Sequence, residues 1–211
     1  MKCILFIVFF MAGFLSVSAQ TYNEWIDKSF ECIESEDWTG AEKALIGALR
    51  VQPANPQNAL LLSNLGTIQR KMGKNDEALK SYTNALMITP RSVTLLMNRA
   101  ALFSEMEKFD DALKDYNQVL MLDDKEEDAL YLRGLIRLEK NDTTACRKDF
   151  EQLLKINPKS SNARIGLAAL MKLRGYYTEA IDLYTQVIRV NPEQTSLYLN
   201  RGEAYLLNLR L

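Results

Sequence analysis

The sequence predicts an all-α fold, a solenoid of tandem helix–turn–helix repeats. Three observations predict it. The first is a fixed period. Val51-Gln52-Pro53, Ile88-Thr89-Pro90, Ile156-Asn157-Pro158 and Val190-Asn191-Pro192 share one punctuation, and the steps from Pro90 through Asp124 and Pro158 to Pro192 are equal. A constant internal period of this size denotes stacked supersecondary units. The second is apolar spacing. Leu96, Ala100 and Phe103 recur at helical intervals, as do Ala112, Tyr116, Val119 and Leu120 after a break at Glu107-Lys108; no sustained period of two competes. The third is the placing of breakers. Gly73 and Gly175 stand where the first helix of a unit should end. Each terminal proline lacks an amide hydrogen and bars its predecessor from helical geometry, so the second helix stops there.

Taken in order, the chain opens on a leader. Met1-Lys2 is short and positive, Cys3 to Leu15 is an unbroken apolar run, and Val17-Ser18-Ala19 offers small residues before Gln20. That is the pattern of a secretory signal peptide over residues 1–19. The run is shorter than the roughly 18 to 20 apolar residues that a membrane span needs. The expectation is therefore an exported protein, periplasmic or secreted, with no membrane span after cleavage. Cys3 precedes the apolar run instead of following it, so no lipid attachment is expected.

The solenoid is expected over residues 20–211. The first unit, 22–55, carries Trp25, Trp38, Ala41, Leu45, Ala48 and Pro53. The second, 59–92, carries Leu62, Leu65, Gly66, Gly73, Ala78, Tyr82, Ala85 and Pro90. The third, 93–126, carries Leu96, Ala100, Phe103, Phe109, Ala112 and Tyr116. The fourth, 127–160, carries Leu130, Gly134, Phe150 and Pro158, with Cys146 in place of an alanine. The fifth, 161–194, carries Ala168, Gly175, Tyr177, Ala180, Tyr184 and Pro192. A terminal helix, 195–211, carries Tyr198, Gly202 and Tyr205. Small residues such as Gly66, Ala78 and Ala85 let two helix backbones approach, and large ones such as Tyr82 fill the adjoining gap. Pro56-Gln57-Asn58 are extra residues between the first two units and predict a longer turn there.

This pattern resembles the tetratricopeptide repeat (TPR), a helix–turn–helix unit of the same period. The resemblance implies a right-handed superhelix and a protein–protein interaction scaffold. It also implies that the first helices of successive units line a concave groove. Carried over position by position, the groove is Ile26, Phe30 and Ile33; then Leu60, Ser63, Asn64, Thr67 and Arg70; then Thr94, Met97, Asn98, Ala101 and Ser104. It continues with Asp128, Tyr131, Leu135 and Leu138, then Asn162, Ile165, Ala169 and Lys172, and ends with Leu199, Asn200 and Glu203. Asn64, Asn98 and Asn200 recur at one repeat position. An asparagine side chain both donates and accepts, so the series could pair the backbone of an extended peptide, or bond a neighbouring helix or water. One subclass of the family grips chaperone carboxylate tails with lysine, asparagine and arginine. Ser63, Thr67, Asp128 and Leu132 occupy the positions that such a clamp would need, so chaperone-tail binding is not expected.

Composition narrows the function further. The 26 basic and 27 acidic residues nearly cancel, and loss of Lys2 with the leader leaves 25 against 27. No basic block stands out, so no nucleic-acid partner is expected. There is no histidine, which removes every scheme that uses imidazole as base or ligand. Asp110-Asp111, Asp123-Asp124 and Glu126-Glu127-Asp128 lack the spacing and turn glycine of a calcium loop and suit helix N-termini. No cofactor or metal site is expected, and no catalysis. Cys32 and Cys146 lie three units apart, about 30 Å at about 10 Å per stacked repeat, too far for a disulfide, and both are expected to be buried thiols.

The resulting expectation is an exported scaffold that binds a protein or an extended peptide. The alternative is a recognition or regulatory part of a larger cell-envelope assembly or enzyme system, with the chemistry on a partner. Glycan binding is weaker, since no groove position is tryptophan. Finally, Tyr205-Leu206-Leu207-Asn208-Leu209-Arg210-Leu211 lies halfway through a sixth unit. Leu206, Leu209 or both are expected to be exposed, as an interface or self-association surface or because the chain is shortened relative to its relatives.

Overall fold

The computed structural model describes residues 20–210; the expected leader, residues 1–19, lies outside them. Among the described residues there are eleven α-helices and no strand. They are α1 (Tyr22–Glu34), α2 (Trp38–Val51), α3 (Asn58–Lys71), α4 (Asn75–Ile88), α5 (Val93–Glu105) and α6 (Phe109–Leu122). Then follow α7 (Glu127–Glu139), α8 (Thr143–Ile156), α9 (Ser161–Leu173), α10 (Tyr177–Val190) and α11 (Thr195–Asn208). The chain divides into two compact units between Pro53 and Ala54, close to the inserted Pro56-Gln57-Asn58. The connection there, between Val51 and Asn58, is longer than the one between Ile88 and Val93.

In the N-terminal unit α1 packs on α2. Thr21 and Glu24 form a reciprocal capping box that starts α1, and the Asp37 side chain accepts from the Gly40 amide to start α2. Ala41, Ala44, Leu45 and Ala48 are fully buried. Trp25 lies flat against Gly47, where a Cβ would stand 2.6 Å from the ring.

In the second unit the pairs α3–α4, α5–α6, α7–α8 and α9–α10 pack on one another, and α11 packs on α10. The helices form because their apolar residues share a face, and short turns fold each pair back. Gly73 and Gly175 have φ of +74° and +81°. Glu107 and Asn141 occupy the same turn position with φ of +57° and +58°. A side chain in that left-handed region costs about 1–2 kcal/mol, so Glu107→Gly is expected to raise stability by about 1 kcal/mol, read as a higher urea midpoint.

Ala78, Ala112 and Ala180 are fully buried, as the repeat register requires, beside the buried rings of Tyr82, Tyr116 and Tyr184. Ala112→Leu should overpack its crossing and cost about 1–3 kcal/mol; a thermal midpoint equal to the parent's would mean that the register is wrong. Burial pushes the Tyr184 hydroxyl up to about 12. A raised folded value contributes stability that is intact below the unfolded value near 10 and is lost as pH climbs towards 12. Urea midpoints of the parent should therefore fall between pH 10 and 12 more steeply than those of Tyr184→Phe.

The two thiols are unpaired but not alike. Cys146 is fully buried, and burial raises its pKa. Cys32 is only half-buried, which corrects the expectation that both would be enclosed. It sits in the last turn of α1, and its Sγ faces the first turn of α2 near Gly40. A thiol reagent added to the folded protein should consume Cys32 quickly and Cys146 only on unfolding.

Candidate protein-binding face

First helices of neighbouring repeats touch, α3 with α5 and α7 with α9. They therefore line one side of the second unit. Of the residues expected to bind, Asn64, Thr67, Met97, Asn98, Tyr131, Leu135, Ile165 and Asn200 lie on α3, α5, α7, α9 and α11. None of these is buried; all are half-buried or exposed. Ile26 and Phe30 lie on α1 of the N-terminal unit, Ile26 half-buried and Phe30 exposed.

The face is apolar in its middle and ionic towards its ends. Met97, Tyr131, Leu135 and Ile165 supply the apolar part. Tyr131 leans on the buried Phe150 ring, centroids 6.3 Å apart, and burial raises its hydroxyl pKa. A depression of 780 Å³ opens between α7, α9 and α11, lined by Leu135, Leu138, Ala169, Lys172, Leu173 and Leu207. At one end Arg70 forks onto Glu105, its Nε donating at 2.7 Å. At the other, Lys172 donates to Glu203 at 2.7 Å and holds that carboxyl below the usual range.

The three asparagines separate into two kinds. Asn200 donates to the Ser196 carbonyl at 3.0 Å and accepts from Lys172 at 3.3 Å, so its amide is engaged within the fold. Asn64 and Asn98 make no side-chain hydrogen bond to another described residue, and both are part-exposed. Their amides stand free to pair with a ligand backbone. Thr67 bonds Tyr82 Oη at 3.0 Å, which ties the face to the core.

The carboxylate clusters serve the fold. Asp110 accepts from Lys140 and Asp111 from Lys114, each at 2.8 Å; Glu127 accepts from Asn157 at 2.9 Å. Among the described residues no group of three or more Cys, Asp or Glu side chains is gathered as a metal would need.

Sequence reasoning missed one polar feature. Arg99 donates to both Asp115 oxygens at 2.8 Å. Arg133 donates to Asp149 at 2.6 and 3.1 Å, and Arg137 adds a third bond at 2.6 Å. Asp115 and Asp149 are nearly inaccessible. The signal was present: Arg99 and Arg133, and likewise Asp115 and Asp149, stand one repeat period apart.

An open face of paired helices defines the class: a helical-repeat protein, of the sort commonly used as an interaction scaffold. Models of the tetratricopeptide repeat match residues 61–94, 128–160 and 168–211. A tetratricopeptide repeat protein from Parabacteroides merdae ATCC 43184 is 41% identical, with 88% of this chain and 73% of that chain covered and a TM-score of 0.84. The chain belongs to the tetratricopeptide repeat family. The first TPR of Spaghetti (RPAP3), solved bound to an HSP90 peptide, is 29% identical over 56% of this chain and 94% of its own, with a TM-score of 0.53. YrrB, described as a TPR protein with an unusual peptide-binding site, shares the fold at 17% identity, with 80% of this chain and 85% of that chain covered and a TM-score of 0.62. No curated protein matches.

Proposed function

We propose that the protein is an exported adaptor that holds an extended segment of a partner protein on the face lined by the first helices. The observation that carries this reading is the pair of free amides, Asn64 and Asn98, at one repeat position beside Met97, Tyr131, Leu135 and Ile165. The amides would pair with the ligand backbone, and the apolar residues would take its alternate side chains. Peptide binding in the two named neighbours supports this mode of use. The chaperone-tail version is left aside because Ser63, Thr67, Asp128 and Leu132 offer no clamp. The adaptor carries out no chemistry of its own. Ile26 and Phe30 would supply a contact of the N-terminal unit's own.

Random-peptide display on residues 20–211 tests the binding. One sequence class should be enriched, and its affinity should fall at least about tenfold, or about 1.4 kcal/mol, in Asn98→Ala and in Tyr131→Ala. Enriched peptides indifferent to both substitutions would overturn the reading. Export rests on residues 1–19, and no described helix is long and apolar enough to cross a membrane. N-terminal sequencing of the protein from a bacterial periplasmic fraction or the medium should begin at Gln20. A product retained in the cytoplasm with Met1 intact would contradict export.

A further inference from the structure

The depression between α7, α9 and α11 forms around one small residue. At a single repeat position the first helices of the second unit carry Thr67, Ala101, Leu135, Ala169 and Glu203. Ala169 thus stands between two longer side chains, and its own ends at Cβ, so the surface recedes there. One turn further along each helix the walls are apolar: Leu138 on α7, Leu173 on α9 and Leu207 on α11. Leu173 is 54% exposed. Ala101, the other alanine of the series, has polar surroundings at the matching places. Ser104 stands one period before Leu138, and Glu105 stands two periods before Leu173 and is held by Arg70. Small floor and apolar walls therefore coincide at Ala169.

The rim carries an unbalanced negative charge. Glu139, the last residue of α7, is exposed at the mouth of the depression. The cations beside it are engaged elsewhere: Arg137 by Asp149, Lys140 by Asp110 and Lys172 by Glu203. Among the described residues none pairs with Glu139. With Lys172 and Glu203 cancelling each other, the rim keeps the charge of one carboxylate.

We propose that this depression anchors one leucine, methionine or aromatic side chain of the partner segment, and that a lysine or arginine within two residues of that anchor pairs with Glu139; the assignment depends on the reading that such a segment lies along the first helices. Successive side chains of an extended segment point in opposite directions, so the anchor enters the depression while a neighbour lies along the rim. Burying the anchor against Leu138, Leu173 and Leu207 removes apolar area from water on both sides. Ala169 is then the residue that sets the size of the anchor, and Glu139 the one that sets the charge beside it.

Peptides from the random display, selected on residues 20–211, are the probe. The enriched class should hold a bulky apolar residue at one position and a lysine or arginine within two residues of it. Ala169→Phe fills the depression from its floor. It should weaken the selected peptide at least about tenfold, and the same peptide with alanine at the anchor should be weak on the parent and lose little more on the variant, the signature of a direct contact. Glu139→Lys should weaken the selected peptide and strengthen its counterpart in which the basic residue is glutamate. Both substitutions lie at accessible positions, so circular dichroism and thermal midpoints should match the parent's; should Ala169→Phe be destabilised, Glu139→Lys decides. Peptides that need Asn98 and Tyr131 but are indifferent to Ala169→Phe and Glu139→Lys would overturn the anchor subsite and leave the binding face standing. Absence of any enriched class would overturn both.

Discussion

Asp149→Ala is expected to cost about 3–5 kcal/mol of stability, because removing one partner of a buried ion pair strands the other charge. Here two charges are stranded. Arg133 and Arg137 both donate to Asp149, whose side chain is 2% exposed. Water reaches the guanidinium groups only in part, so rehydration cannot restore what they lose. Urea unfolding followed by circular dichroism measures the loss. Asp111→Ala is the control, since its pair with Lys114 is open to solvent and such pairs contribute about 0–1 kcal/mol. Equal midpoints for the two variants would mean that the Asp149 cluster carries no stability.

Phe150→Ala is expected to cost a similar amount, about 3–5 kcal/mol, as lost transfer energy plus an unfilled cavity. The ring is fully buried and is pressed between two helices. A Cβ on either Gly134 of α7 or Gly166 of α9 would stand 2.5 Å from it. It thus joins two repeats through one side chain, and neither glycine has a side chain to move into the space. Differential scanning calorimetry should show a far larger drop in midpoint for Phe150→Ala than for Met121→Ala, a change at an exposed position. Because Asp149 and Phe150 are neighbours on α8, the two losses should not simply add.

The repeat register was legible because period, breakers and small residues agreed. Ala78, Ala112 and Ala180 lie at the crossings they were assigned to, and Leu206 and Leu209 are exposed. What escaped the sequence reading depends on how helices face each other. The Arg99–Asp115 and Arg133–Asp149 forks join side chains on two helices across a turn, a relation that helical periodicity does not reveal. Glycine marked the left-handed turn position at Gly73 and Gly175, but Glu107 and Asn141 adopt it too. There the packing of the flanking helices imposes the turn and outweighs the local preference. The proposed binding face was legible only as half-buried or exposed positions on the first helices. Which asparagines are free was not, since Asn200 is engaged by Lys172 and by its own helix, contacts set by neighbouring repeats.

Site-specific photo-crosslinking tests most directly the claim that the face of first helices receives a partner segment. A benzophenone side chain is placed at Ala101, on α5 between Asn98 and Ser104, and separately at Met121, exposed on α6. Each variant is irradiated with a peptide selected by display. The expected result is a covalent adduct from Ala101 that excess unlabelled peptide abolishes, and none from Met121. An adduct from Met121 alone, or equal adducts from both positions, would contradict binding at this face.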